Sequence, residues 1–367
     1  RNIIHTIEEH GFKAYAVGGC IRDSILGRNP DDWDITTSAV PSQIKTFFKR
    51  TVDTGIAHGT VTIMIDKTGY EVTTYRIDGE YEDGRHPKSV EFSDRLVDDL
   101  CRRDFTINAM AYNDTDGFVD EFKGLDDLDT KIIRCVGEPE LRFTEDALRM
   151  MRAIRFSAQL GFTIDEATWN AIKKLSPSIS KISMERVHVE LGKTLMSAHP
   201  DYVAQYSEAG LFAPILPVID NALKSRYKRK ILATLQHTPD NIYLRYAALF
   251  ITSTPDEAAK TLRALKLDNK TVNTVSKLVE LSKMDIEETE PAVRTALNKY
   301  GRDFLPLWHE LMMAVIQASE DITGISNPAK VKHLLTLKRL GTDILARGDC
   351  FTIKDLDISG NDLIEYG

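Results

Sequence analysis

The sequence predicts an α+β protein with a mixed sheet confined to residues 1–138 and helices from there on. Three observations predict it. Short β-branched runs alternate with helical stretches up to residue 138. Glycine and proline mark the junctions between them. After Pro139 the apolar period becomes helical, and no convincing strand recurs until CFTI, beginning at Cys350. At about 100–200 residues per domain, 367 residues predict two to four domains.

The elements follow in order. AYAV (Ala14 to Val17) reads as a strand, and GGCIRDSILG as a glycine turn running into a helix. DWDITT (Asp32 to Thr37) reads as a strand, and PSQIKTFFKR as a helix with Pro41 near its start. TVTIMID and YEVTTYR alternate with period two, as strands do. RDFTINAMAYN reads as a helix capped by Asp104, and GLDDLDTKIIRCVG as a short helix and a strand. TEDALRMMRAIRFSAQLG reads as one helix, capped by Thr144 and ended by Gly161. DEATWNAIKKLS and MERVHVELGKTLMS are further helices.

Composition is ordinary for a globular chain, 42% hydrophobic and 28% charged. No apolar run approaches the roughly 18 residues of a membrane span. RNIIHTIEEHGFKAYAV lacks a signal-peptide core, and a first residue other than Met implies that earlier residues are left out. Cys20, Cys101, Cys135 and Cys350 form no CxxC pair and have no His at zinc-ligand spacing. They are expected to be buried or half-buried thiols of a reducing cytoplasm.

Net charge is −8, the reverse of a uniformly basic nucleic-acid binder. Charge is not evenly spread, however. KSRYKRK (Lys224 to Lys230) carries five basic residues, and VKHLLTLKRL adds more. Such tracks suit RNA, although each alone also fits a solvated helix face.

The sharpest local feature is GGCIRD followed by DWD. In a strand, Asp32 and Asp34 face one way while Trp33 and Ile35 face the other. Adjacent carboxylates repel unless a cation sits between them, and hard oxygen ligands suit Mg²⁺. Glu71 begins a strand that can lie beside DWDITT and supply a third carboxylate. Asp-x-Asp alone is common on surfaces. Gly18, Gly19 and Arg22 turn it into a phosphate-plus-metal constellation within 17 residues, since glycine lets a phosphate approach the backbone.

These residues resemble the first motif of the DNA polymerase β-type nucleotidyltransferase superfamily, in its class II tRNA nucleotidyltransferase form. RRDFTINAMA (Arg102 to Ala111) resembles the second motif, and GLDDL with IIRCVG the third. EDALRMMRAIRF (Glu145 to Phe156) resembles the fourth, and SMERVHVELGK (Ser183 to Lys193) the fifth. The five stand in the family's order over residues 17–193.

The resemblance implies a catalytic head over residues 1–138 and a helical neck over 139–196 that selects the nucleotide. It implies a helical body over 197–290 and a tRNA-binding tail over 291–367, in an elongated arrangement. It implies CCA addition to tRNA from CTP and ATP. Asp32 and Asp34 would hold two Mg²⁺ ions, with Glu71 as the third catalytic carboxylate. Gly19, Arg22 and Arg103 match contacts to the triphosphate or ribose. Asp146 and Arg149, helix neighbours at a spacing of three, match the pair that reads the base edge, and Arg152 and Arg155 match further nucleotide contacts. Without the other motifs, this stretch reads as an exposed helix with charges sorted by its dipole. RHP (Arg85 to Pro87) resembles the flexible loop that full CCA-adding enzymes need to switch from C to A. Glu185, Arg186 and Glu190 read first as structural helix pairing. The family's tail runs past NDLIEYG, which implies further residues there.

The nearest rival is a bacterial poly(A) polymerase. VDTGIAHGTV lacks the basic phenylalanine-containing motif such enzymes carry before the His-Gly segment, which favours CCA addition. An A-adding or CC-adding specialist is closer, and the loop argues only against the CC-adder. A non-catalytic RNA-binding protein with this fold would be expected to lose Asp32, Asp34 or Arg22.

Overall fold

The computed structural model describes residues 1–79, 89–351, 355 and 360–365. The RHP loop expectation therefore lies outside the described residues. The chain divides into two compact units, residues 1–183 with 209–211, and residues 184–208 with 212–367.

In the first unit the strands are β1 (Ala14–Val17), β2 (Ile35–Thr37), β3 (Thr51–Gly55), β4 (Thr60–Ile65), β5 (Thr68–Thr74), β6 (Arg76–Asp78), β7 (Val90–Phe92), β8 (Ala111–Asn113), β9 (Gly117–Val119), β10 (Ile132–Ile133) and β11 (Thr163–Ile164). Its helices are α1 (Asn2–Glu9), α2 (Gly19–Ile25), α3 (Pro41–Phe47), α4 (Leu96–Cys101), α5 (Gly124–Asp129), α6 (Pro139–Glu145), α7 (Leu148–Leu160) and α8 (Glu166–Leu175).

Seven strands form one sheet in the order β3-β4-β5-β2-β1-β8-β9. β2 runs parallel to β5 and antiparallel to β1, so the sheet is mixed as expected. Period-two alternation buries both of its faces. Ala14, Ile35, Val61, Ile63 and Val72 pack with Ile3, Ile7 and Ile44 of α1 and α3. Tyr15, Val17 and Ala111 pack with Leu100 and Ala109 on the other side. Each fully buried aliphatic side chain contributes about 1.5–3 kcal/mol.

Three readings are corrected here. RDFTINAMAYN is no helix. It forms a single 3-10 turn, Thr106–Asn108, and then β8. Its apolar residues from Phe105 to Ala111 are all buried, so tertiary packing decides the conformation where no one-sided face exists. Asp104 does not cap a helix; it accepts from the next backbone N–H, of Phe105, at 2.8 Å.

TEDALRMMRAIRF is two helices. α6 ends at Glu145, Asp146 is extended at φ −144° and ψ 104°, and α7 starts at Leu148. The Asp146 carboxylate accepts from Leu148 N at 3.0 Å, an Asx-type bond that competes with helix continuation. Thr144 instead lies inside α6 and donates to Glu140 O at 2.8 Å. Gly161 ends α7 in the left-handed conformation, as expected.

DWDITT pairs only from Ile35 onward. The ladder gains one further bond, from Val17 N to Asp34 O at 3.0 Å, so the two acids lie just beyond the strand. The ends of the long polar stretch after β5 form an antiparallel ribbon, with Ile77 opposite Glu91.

The second unit is helical among the described residues. It comprises α9 (Met184–Leu195), α10 (Ala204–Glu208), α11 (Pro217–Lys224), α12 (Lys228–His237), α13 (Ile242–Leu249), α14 (Pro255–Ala264), α15 (Asn269–Leu281), α16 (Glu290–Tyr300), α17 (Phe304–Thr323), α18 (Pro328–Ala346) and α19 (Gly360–Glu365). Thr254 and Glu257 close a capping box on α14. The fifth motif lies on α9, with Val187, Leu191 and Leu195 buried. Its His188 ring pairs with Leu265 O at 2.8 Å, in keeping with a structural helix. Of CFTI, Cys350 and Phe351 are described, and neither is in a strand. No cysteine is in a disulfide, and Cys101 and Cys350 are exposed rather than buried or half-buried.

Candidate active site

β1 delivers the chain to Gly18, whose φ of +83° admits little but glycine. A Cβ there would lie 3.0 Å from Nη1 of Arg103 and 4.0 Å from Oδ2 of Asp34. Gly18 is thus the point where the acidic segment before β2 and the arginines after α4 converge. Gly19 opens α2, with Nη2 of Arg22 3.5 Å from where its Cβ would be.

Asp34 is reached by solvent, yet the protein packed on its inner side pushes its carboxyl above the usual range. Arg103 pulls the other way, and the charge of Asp32 adds to the rise. Two solvent-exposed carboxylates, close enough for the charge of Asp32 to bear on Asp34, are a donor set that fits a hard divalent cation. Glu71 is exposed on β5, where Val72 pairs with Ile35 in a parallel ladder, so the same register carried back one residue sets Glu71 opposite Asp34. Among the described residues, no three His, Cys, Asp or Glu side chains stand together at metal-binding geometry, so Glu71 does not complete a triad with the pair here.

The arginines are held by a chain of polar groups. Arg22 donates from Nη1 to Asn108 Oδ1 at 2.6 Å, and from Nε and Nη2 to Asp23 at 2.9 and 2.8 Å. Asn108 donates to Asp104 Oδ1 at 3.0 Å. Oδ2 of Asp104 accepts from Arg152 Nε at 2.7 Å, with Nη2 at 2.6 Å. First, second and fourth motifs are therefore linked by direct hydrogen bonds. Burial alone would raise the Asp104 carboxyl; Arg152, Asn108 and Arg149 outweigh it and hold it well below the usual range.

Asp99, fully buried on α4, plays a matching part. It accepts from Arg102 at 2.6 Å and from Arg103 at 3.1 Å. Burial again opposes ionisation and the two guanidiniums overcome it. Arg103 Nε is buried with no hydrogen-bond acceptor among the described residues.

Arg149 is half-buried. It pairs with Glu145 and donates to Arg142 O and Arg102 O, both at 3.1 Å. Asp146 stands one turn earlier, outside the helix, its carbonyl accepting from Arg149 N at 3.0 Å. The two remain neighbours, through a turn rather than a continuous helical face. α7 is no exposed helix, because Arg155 is only 6% exposed and Met150, Met151 and Ile154 are buried. Arg155 donates to Gln159 Oε1 at 2.7 Å.

Sequence reasoning brought forward Asp32, Asp34, Glu71, Gly19, Arg22, Arg103, Asp146, Arg149, Arg152 and Arg155. It missed Asp99, Asn108 and Phe156. The available signal was polar residues lodged in an apolar run, such as Asn108 inside FTINAMA, which calls for a buried partner.

Comparison with known proteins identifies the family and the fold. Residues 14–134 match the poly(A) polymerase head domain, and residues 161–223 match the probable RNA- and SrmB-binding site of polymerase A. The CCA-adding enzyme of Limosilactobacillus reuteri is 49% identical over 227 residues, 60% of this chain and 55% of that one. The chain thus matches little more than half the length of the first such relatives. The CCA-adding enzyme of Streptococcus suis is 39% identical over 344 residues, 91% of this chain and 82% of that one. Among solved structures, the Bacillus stearothermophilus CCA-adding enzyme in complex with CTP superposes with a TM-score of 0.77 at 32% identity, covering 100% of this chain and 86% of that one. With the nucleotidyltransferase head, the linked arginines and relatives at this identity and coverage, the chain belongs to the family of CCA-adding enzymes.

Proposed function

We propose that this chain adds CCA to the 3′ end of tRNA from CTP and ATP, releasing pyrophosphate. The observation that carries the reading is the hydrogen-bonded line from Arg22 through Asn108 and Asp104 to Arg152, in the same unit as Asp32 and Asp34. It holds cationic groups of the first and fourth motifs in fixed places, through the second, before any nucleotide arrives, as electrostatic preorganisation requires. The CTP complex of the Bacillus stearothermophilus enzyme supports a nucleoside triphosphate as substrate.

Enzymes of this family use divalent metal, and we assign Mg²⁺ to Asp32 and Asp34, with Glu71 as an auxiliary carboxylate. Bound there, Mg²⁺ supplies activation of the 3′-hydroxyl and neutralisation of triphosphate charge. The chain's own residues do the rest. Arg22 and Arg103 bind the triphosphate, and Gly19 leaves room for it. In-line attack on the α-phosphorus then rests on positioning and charge neutralisation. Asp146 accepts from an exocyclic amine of C or A, and Arg149 donates to ring nitrogen or carbonyl oxygen. Arg152 and Arg155 make further nucleotide contacts.

Catalysis falls to residues 1–138, nucleotide choice to 139–196, and the hold on tRNA to the body over 197–290 and the tail over 291–367. Lys224 and Lys228 pair with Asp220 and Glu208, so Arg226, Arg229 and Lys230 are the better phosphate contacts of the basic track. A tRNA substrate and unbridged thiols support a cytoplasmic setting, and no helix among the described residues is long and apolar enough to cross a membrane.

The test uses tRNA ending before CCA, after C and after CC, each with single nucleotides and with CTP plus ATP. Completion to CCA on all three is expected. Long adenylate tails, addition of CC alone or of A alone would each replace the reading with the corresponding specialist. Binding without incorporation would make the chain an RNA-binding protein.

A further inference from the structure

Three guanidinium groups from two distant segments surround one aromatic ring. The carbon at the centre of the Arg155 guanidinium lies 3.8 Å from the Phe156 ring centroid, that of Arg22 5.0 Å and that of Arg152 5.3 Å. All three are within the range of cation–π attraction. Phe105 packs against the same ring edge to face at 5.8 Å, so the ring itself is held from the second motif. Phe156 is 5% exposed, and Arg22 and Arg155 are nearly as buried.

Three like charges gathered in a poorly hydrated place repel one another. Asp104 answers Arg152 and Asp23 answers Arg22. The ring's quadrupole acts on all three at once without adding a negative charge to compete with a phosphate. A carboxylate in its place would add negative charge and weaken the cluster's hold on an anionic substrate. Leucine would fill much of the same space and give no electrostatic return.

We propose that Phe156 is a positioning residue for the nucleotidyl transfer, gathering Arg22, Arg152 and Arg155 into the arrangement that receives the nucleoside triphosphate. This rests on the activity proposed above. It predicts a defect in nucleotide capture that depends on the aromatic face and not on side-chain bulk.

The test compares Phe156→Leu and Phe156→Tyr with the unaltered chain in three measurements: KM and kcat for CTP and ATP, CTP affinity by calorimetry, and thermal midpoint. Phe156→Leu is expected to raise KM and weaken CTP binding about ten-fold, the scale of one desolvated cation–π contact. kcat and midpoint should change much less, and Phe156→Tyr should recover most of the binding. Equal KM and CTP affinity in all three proteins would overturn the proposal while leaving CCA addition intact. Equal losses in Leu and Tyr variants, with a lowered midpoint, would reduce Phe156 to packing and also overturn it.

Should Phe156→Leu fail to fold, the ring-current displacement of the arginine side-chain NMR signals in the unaltered chain decides instead, because its absence removes the stacked geometry. Should the unaltered chain bind CTP yet not extend tRNA, and Phe156→Leu weaken that binding, the activity reading fails and the positioning role stands.

Discussion

Asp32 and Asp34 are open to solvent and are the acids proposed to hold metal; protein packed on its inner side raises the Asp34 carboxyl, and the charge of Asp32 adds to the rise. Asp99 and Asp104, in the second motif's neighbourhood, are buried, and each is flanked by arginine that forces it to stay ionised. The same side chain thus serves two ends within one compact unit. An acid left short of cations is available to an incoming one. An acid saturated with guanidinium holds those guanidiniums still for an incoming anion.

The largest expected effect separates these two uses. Asp32→Ala or Asp34→Ala should lower incorporation on the order of 10³-fold or more, through loss of several kcal/mol of charge stabilisation. tRNA binding and thermal midpoint should hold, since neither carboxylate lies in the core. Incorporation at the unaltered rate, measured in single turnover, would remove both residues from the metal site.

Asp104→Asn should do the opposite. It keeps shape but removes the charge of a buried group from its contact with Arg152, whose side chain is 34% exposed, at a cost of about 1–3 kcal/mol in folding. Denaturant titration measures it. A midpoint unchanged from the unaltered chain would mean that the charge of Asp104 contributes nothing to the fold, and the comparison would collapse.

How much of this could be read beforehand depended on where the information lay. AYAV was legible as a strand because four residues and two flanking turns carry the whole signal. The second motif was not. FTINAMA has no one-sided face, and its turn-then-strand conformation is imposed by burial among partners distant in sequence. The break at Asp146 was missed for a local reason, because a carboxylate that takes the backbone N–H two residues on leaves no mark on apolar periodicity. Site residues were legible through motif resemblance, which names positions but not partners. That is why Arg22 and Arg152 were found and Asn108, the bridge toward Asp104, was not.

Arg149 tests the comparison at the selecting end. Its guanidinium is engaged by Glu145 and two carbonyls, so in the base-reading role proposed for it Arg149 would be preset rather than mobile. Arg149→Ala should narrow the preference for CTP and ATP over UTP and GTP by about ten- to hundred-fold, the worth of one or two charged hydrogen bonds. Competition assays with mixed nucleotides check this, and an unaltered preference would take base reading away from Arg149.

The smallest effect is in acid. The folded values of Asp99 and Asp104 are depressed, so as pH falls below about 4 the unfolded chain takes up protons at these positions before the folded one does. Stability from these two carboxylates is fully present above that unfolded value and drains away as pH falls toward the folded ones. Other carboxylates titrate in the same window, so the difference between proteins is the informative quantity. The unaltered chain should lose more stability between pH 5 and 3, as rough bounds on that window, than Asp104→Asn does. Parallel curves in that interval would mean that Asp104 is not held ionised by its arginines, and the contrast with Asp34 would then rest on exposure alone.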